Sequence, residues 1–118
     1  MALLNGTVTL TNITVSGNTA ATSGGGIRLA TGTFNLNNSI IANNGSNDCF
    51  SSAGTVNAQY SLIESDLSCV NGTSTNNVIG DPALNGDLTL SAASFAVNGG
   101  NNSLIPGGVT TDLAGNAR

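Results

Sequence analysis

This 118-residue chain contains no His and no Lys, so its charged and thiol side chains are six acids, two cysteines and two arginines. The missing His rules out a His-activated nucleophile and a His general base. The acids are Asp48, Glu64, Asp66, Asp81, Asp87 and Asp112. Polysaccharide-cleaving sites need carboxylates that converge, or a calcium site beside a basic group. Only Glu64 and Asp66 are close in sequence, and alternate residues of a strand share a face. A weak cation site there competes with the plainer reading of a solvated acid pair. Two Cys without His fall short of the four ligands of a zinc site. Gly24-Gly25-Gly26 has no following Lys-Ser/Thr and opens no helix, so it reads as a tight corner rather than a phosphate loop. No catalytic residue, metal ligand or cofactor is therefore assigned, and the chain is not expected to be an enzyme.

Charge narrows the partners. The net charge is −4, and Arg28 and Arg118 are the only cationic side chains. Nucleic-acid binding needs a basic footprint that is absent here, and anionic membrane surfaces are disfavoured for the same reason. No apolar run approaches the roughly 20 residues of a membrane span. Residues 1–4 lack the marks of a signal peptide, so an export signal is expected outside this chain.

The elements that would hold these residues show as a repeat. Segments beginning at Gly6, Gly32, Gly54 and Gly86 align, with spacings of 26, 22 and 32 residues. The second and fourth residues after each glycine are apolar: Val8 and Leu10, Phe34 and Leu36, Val56 and Ala58, Leu88 and Leu90. Alternation with period two marks a strand with one buried face. The ninth residue is apolar each time (Val15, Ile41, Ile63, Phe95), which fits a second short strand facing the same interior. Ile27-Arg28-Leu29 and Val78-Ile79 read as a third. On this reading, insertions at 19–23 and 70–82 account for the unequal spacings.

Self-similarity at this period is the mark of a solenoid. Aromatics are 3% and charged residues 7% of the chain, yet apolar residues reach 39% and recur in order, which argues against a disordered polar tract. Leucine-rich and helical repeats fit poorly, and a β-sandwich is the remaining competitor. The expected fold is all-β: a right-handed parallel β-helix of about four coils with three short strands each. Residues 1–118 form one domain, with repeated coils over 1–95 and a loop-rich end over 96–118.

Thr9-Leu-Thr-Asn-Ile-Thr-Val-Ser-Gly-Asn18, Gly24-Gly-Gly-Ile27, Asn38-Ser-Ile-Ile-Ala-Asn-Asn44 with Asp48-Cys49, and Gly108-Val-Thr-Thr-Asp-Leu-Ala-Gly-Asn116 resemble the β-helical region of bacterial choice-of-anchor Q domain proteins. That region is similar in turn to polymorphic outer-membrane and pectate-lyase-like repeats. The resemblance covers nearly the whole chain. It implies an exported, bacterial cell-surface protein and brings no catalytic residues with it. In that family the Asp-Leu-X-Gly-Asn-X-Arg stretch is followed by a further strand and an anchoring segment. Here the sequence ends at Arg118, which suggests a fragment or subunit of a larger assembly.

Cys49 follows Gly32 by 17 residues and Cys69 follows Gly54 by 15, so both occupy nearly the same place in successive coils. Stacked strands lie about 4.8 Å apart, within the range a disulfide spans. An exported setting favours a Cys49–Cys69 bond over two buried thiols.

Outward positions one, three and five after the glycines give Thr7, Thr9 and Thr11; Thr33, Asn35 and Asn37; Thr55, Asn57 and Gln59; and Asp87, Thr89 and Ser91. Stacked, they would form a nearly uncharged face for ice or carbohydrate, or simply a solvated wall. Sequons at Asn5, Asn12, Asn37, Asn44, Asn71 and Asn101 are expected by chance in so Asn- and Thr-rich a chain. Asn43-Asn44 and Asn76-Asn77 suit corners. Coil ends left open template further pairing. The expected function is an extracellular structural or adhesive module that associates end to end, or continues into a longer chain, with glycan as a second candidate partner. The alternatives are an ice- or carbohydrate-binding Thr/Asn face and a non-catalytic fragment of a polysaccharide-active enzyme.

Overall fold

The computed structural model describes residues 1–112 and 114–117; Leu113, within the family-like tail, and the cation Arg118 lie outside the described residues. The chain is all-β and holds three parallel sheets, an arrangement compatible with a β-helix. Sheet A contains β1 (Ala2–Leu3), β4 (Ile27–Leu29) and β7 (Cys49–Ser51). Sheet B contains β2 (Thr7–Thr11), β5 (Thr33–Asn37), β8 (Thr55–Gln59) and β10 (Ser74–Thr75). Sheet C contains β3 (Thr14–Val15), β6 (Ile40–Ile41), β9 (Leu62–Ile63) and β11 (Val78–Ile79). Along the sequence the chain visits A, B and C in that order three times, then B and C once more.

Equivalent residues stack in register. In sheet B, Val8 pairs with Phe34 and Phe34 with Val56, while Leu10 pairs with Leu36 and Leu36 with Ala58. Val15, Ile41 and Ile63 stack in sheet C. Ile27 and Leu29 project inward from sheet A, and all these columns meet in one core. Burying a side chain of this kind contributes about 1.5–3 kcal/mol, and Phe34 is the one aromatic among these aliphatic columns.

Corners explain the recurring Asn. Between sheets B and C, the residue at each level is left-handed: Asn12 (φ 57°), Asn38 (48°), Tyr60 (50°) and Asn76 (50°). Asn enters this conformation more readily than other non-glycine residues. Just inside the corner, the Ser39 amide donates to Ser61 Oγ (3.1 Å) and the Ser61 amide to Asn77 Oδ1 (3.0 Å). A polar column thus satisfies backbone groups that the bend would otherwise orphan. The Gly24–Gly26 corner is left-handed at Gly24 (φ 69°), and at Gly25 a Cβ would lie 1.8 Å from the Gly45 carbonyl oxygen. The glycine run lets two levels of backbone touch.

The fourth segment departs from expectation. No five-residue strand follows Gly86; the next level of sheets B and C is built from Ser74–Thr75 and Val78–Ile79, which pair with Ala58–Gln59 and Leu62–Ile63. Successive levels of sheet B are offset by 26, 22 and 16 residues (Thr7 to Thr33, Thr33 to Thr55, Ala58 to Ser74), so the last turn is shortened rather than lengthened by an insertion. It is short because no sheet A strand lies between β9 and β10. Val78-Ile79 accordingly belongs to sheet C and is not the third strand of its level. Beyond it the growing edge of sheet B is only two residues long, so a five-residue strand there would leave most of its backbone unpaired. Residues 83–91 instead form a small turn held by a single antiparallel Leu84–Leu90 pair, with Leu88 in the turn and Phe95 beyond it turned to solvent. A short 3₁₀ helix, Asn102–Leu104, lies farther on.

Candidate ligand surfaces

Nine of the twelve residues expected on the nearly uncharged face come together on sheet B. Thr7, Thr33 and Thr55 form one column; Thr9, Asn35 and Asn57 a second; Thr11, Asn37 and Gln59 a third. Asp87, Thr89 and Ser91 do not join them, because their segment folds into the turn after Pro82 and never reaches sheet B. The middle column bonds to itself. Asn35 Nδ2 donates to Thr9 Oγ1 (3.3 Å), Asn57 Nδ2 to Asn35 Oδ1 (2.8 Å), and the Thr73 amide to Asn57 Oδ1 (2.8 Å). The middle column's amides are therefore used to tie one level to the next.

Cys49 and Cys69 are joined in a disulfide with Cα atoms 5.8 Å apart, and both are buried. Cys69 occupies the level where sheet A has no strand to pair with β7, so the covalent bond takes over where the ladder stops.

The acids are dispersed, each holding backbone. Glu64 accepts from the Asn43 amide, while Asp66 accepts from the Ser68 amide at 2.7 Å. The two carboxylates thus serve separate loops. The Ser68 hydroxyl and amide hold the Asp66 carboxyl below the usual carboxylate range. The Thr89 side chain and amide do the same for Asp87, and those of Asn116 for Asp112. Among the described residues no group of three or more Cys, Asp or Glu converges.

Asp48 is a residue that the spacing of acids did not single out. It is 2% exposed; its Oδ1 accepts from the Asn44 amide (3.1 Å) and Asn44 Nδ2 (3.0 Å), and its Oδ2 from the Ser65 amide (2.9 Å). Three donors on one buried carboxylate clamp the turn after sheet C to the next level. The sequence signals were the Asn43-Asn44 pair four and five residues upstream and the place of Asp48-Cys49 in the family resemblance.

No family model, curated protein or solved structure matches the chain. Function must be argued from its surfaces.

Two surfaces remain. At the β1–β2–β3 end the inward residues Leu3, Val8, Leu10 and Val15 are only partly covered, whereas their stacking partners Leu29, Phe34, Leu36 and Ile41 are buried. A groove of about 800 Å³ lies elsewhere, between the B–C corner and residues 96–105. Nothing in the sequence signalled it, because its walls lie far apart in the chain. Among the described residues no helix is long and apolar enough to cross a membrane.

Proposed function

We propose that the chain is a non-catalytic structural and adhesive module outside the cell or on its surface, a right-handed parallel β-helix of about four coils, each with up to three short strands, that associates end to end. The observation that carries this reading is the β1–β2–β3 end. Each of these strands is the outermost member of its sheet among the described residues, so three parallel edges stand side by side around the half-covered Leu3, Val8, Leu10 and Val15. An edge of this kind accepts another strand by continuing the ladder, and a further level would bury the four apolar residues as the levels behind them are buried. A second copy or another coil of a longer chain supplies the same backbone chemistry.

The Cys49–Cys69 disulfide supports an oxidising, extracellular setting. The bacterial cell surface is inferred from the family resemblance alone. The absence of His and the dispersed acids support a non-catalytic role.

Light scattering over a concentration series tests the reading. The expected outcome is a molar mass that rises with concentration towards elongated species. A mass fixed at one chain up to millimolar concentration defeats end-to-end association.

A further inference from the structure

The groove at the B–C corner is a second, independent feature, on the side of the stack rather than at its end. Its far wall is brought in by a reciprocal pair: Asn38 Nδ2 donates to the Asn101 carbonyl (2.9 Å) while the Asn101 amide donates to Asn38 Oδ1 (2.8 Å). This amide imitates a strand partner and ties residues 96–105 to the corner across 63 positions of sequence. No lining residue carries a charge. Asn12, Asn98 and Asn102 line it, their side-chain amides make no hydrogen bond to another described residue, and the Tyr60 phenol is equally unengaged. Apolar residues of sheet C, Ile40 and Leu62, form part of the floor.

Tyr60 is the anomaly that gives the groove meaning. At the equivalent corner of three levels the left-handed residue is Asn, at 12, 38 and 76, and only here is it a bulky aromatic, at φ 50°. A bulky side chain in this region is strained, and such outliers concentrate where a ligand is held. Tyr60 lines the depression.

We propose that this groove binds a neutral oligosaccharide, with Tyr60 as the stacking platform and Asn12, Asn98 and Asn102 bonding to sugar hydroxyls. An amide both donates and accepts, as a hydroxyl does, so a row of free amides matches a run of sugar hydroxyls. An aromatic ring with a polar tip packs against the C–H face of a pyranose while its hydroxyl stays wet. Phosphorylated, nucleic-acid and acidic-sugar ligands would want cations, and Arg28 is bonded to Thr22 and stacked on Phe50 in sheet A, away from the groove. A groove of about 800 Å³ falls within the usual range of ligand sites. The inference does not depend on end-to-end association.

Tyr60 is the only tyrosine and the chain has no tryptophan, so its intrinsic emission reports on this groove alone. The test titrates cellohexaose, chitohexaose and mannohexaose, with hexagalacturonate as the acidic counter-probe, following tyrosine emission and the side-chain amide signals of Asn12, Asn98 and Asn102 by NMR. At least one neutral hexasaccharide is expected to move both. Tyr60→Asn restores the residue type of the other levels; it is expected to unfold at the same or a higher temperature while weakening binding about tenfold by calorimetry. Asn102→Ala, in an exposed position, is expected to weaken binding by a smaller factor without altering the fold. Failure of all three neutral sugars at millimolar concentration, binding of hexagalacturonate alone, or binding that Tyr60→Asn leaves intact would each overturn the proposal.

Discussion

Two segments of this chain share one pattern and fold differently. Gly32-Thr-Phe-Asn-Leu and Gly86-Asp-Leu-Thr-Leu both place apolar residues two and four positions after a glycine. The first becomes β5, paired on both sides over five residues, with Phe34 and Leu36 fully buried. The second becomes a turn in which Leu88 is left-handed (φ 66°) and half exposed. Alternation states which residues would face a core; whether a strand forms depends on an edge long enough to pair with. β5 has five-residue neighbours in β2 and β8, whereas the segment after Gly86 would meet only the two-residue β10.

The sharpest way to break this comparison is to truncate one aromatic in each region. Phe34→Ala removes the only ring in the core and is expected to cost about 3–5 kcal/mol. Phe95→Ala, at a residue 73% exposed, is expected to stay within about 0.5 kcal/mol. Urea unfolding of both variants measures the difference. Similar costs would mean that the C-terminal region carries a core of its own.

The disulfide marks the boundary between the regions, and its effect comes next in size. Closing a loop over a separation of 20 residues stabilises by about 3 kcal/mol on the chain-entropy account. The Cys49→Ser/Cys69→Ser variant is expected to lose about that much, and hydrogen exchange should show the loosening first at β10 and β11, the level that lacks a sheet A strand. Loss spread evenly back to β2 would mean that the stack melts as one unit and the boundary has no energetic meaning.

The same contrast shows how much was legible beforehand. The period through Gly6, Gly32 and Gly54, the inward columns and the pairing of Cys49 with Cys69 could all be read, because each level reuses residue types at fixed offsets. The last level could be read only in part, since Val78-Ile79 shows as a strand but its sheet does not. Ser74–Thr75 and Val78–Ile79 are too short to show alternation, and the Gly86 segment imitates the missing repeat. Asp48 and the corner groove were hidden for another reason. Their geometry joins positions with no shared periodicity, such as Asn44 with Ser65 through one carboxylate, or Asn38 with Asn101 through a side chain that mimics backbone. Repetition exposes what is repeated; a site assembled from one-off contacts leaves no trace in spacing. Tyr60 comes nearest to an exception, since an aromatic at a position that is Asn on three other levels becomes visible once the register is known.

The smallest effect tests the comparison most finely. Leu88 is left-handed at φ 66°, its side chain is half exposed, and its amide donates to the Asn85 carbonyl at 2.9 Å. A branched apolar residue in that conformation is strained, whereas Asn tolerates it. Leu88→Asn is therefore expected to stabilise the turn by about 0.5–1 kcal/mol, slowing exchange of the Asn85 and Ser91 amides roughly two- to fivefold. These amides donate to Thr89 and Ala83 across the turn, so they report on it directly. If Leu88 were instead an inward strand residue like Leu36, the substitution would bury an amide in a core and speed exchange. The sign of the change, more than its size, decides whether the fourth glycine segment is a turn or a strand.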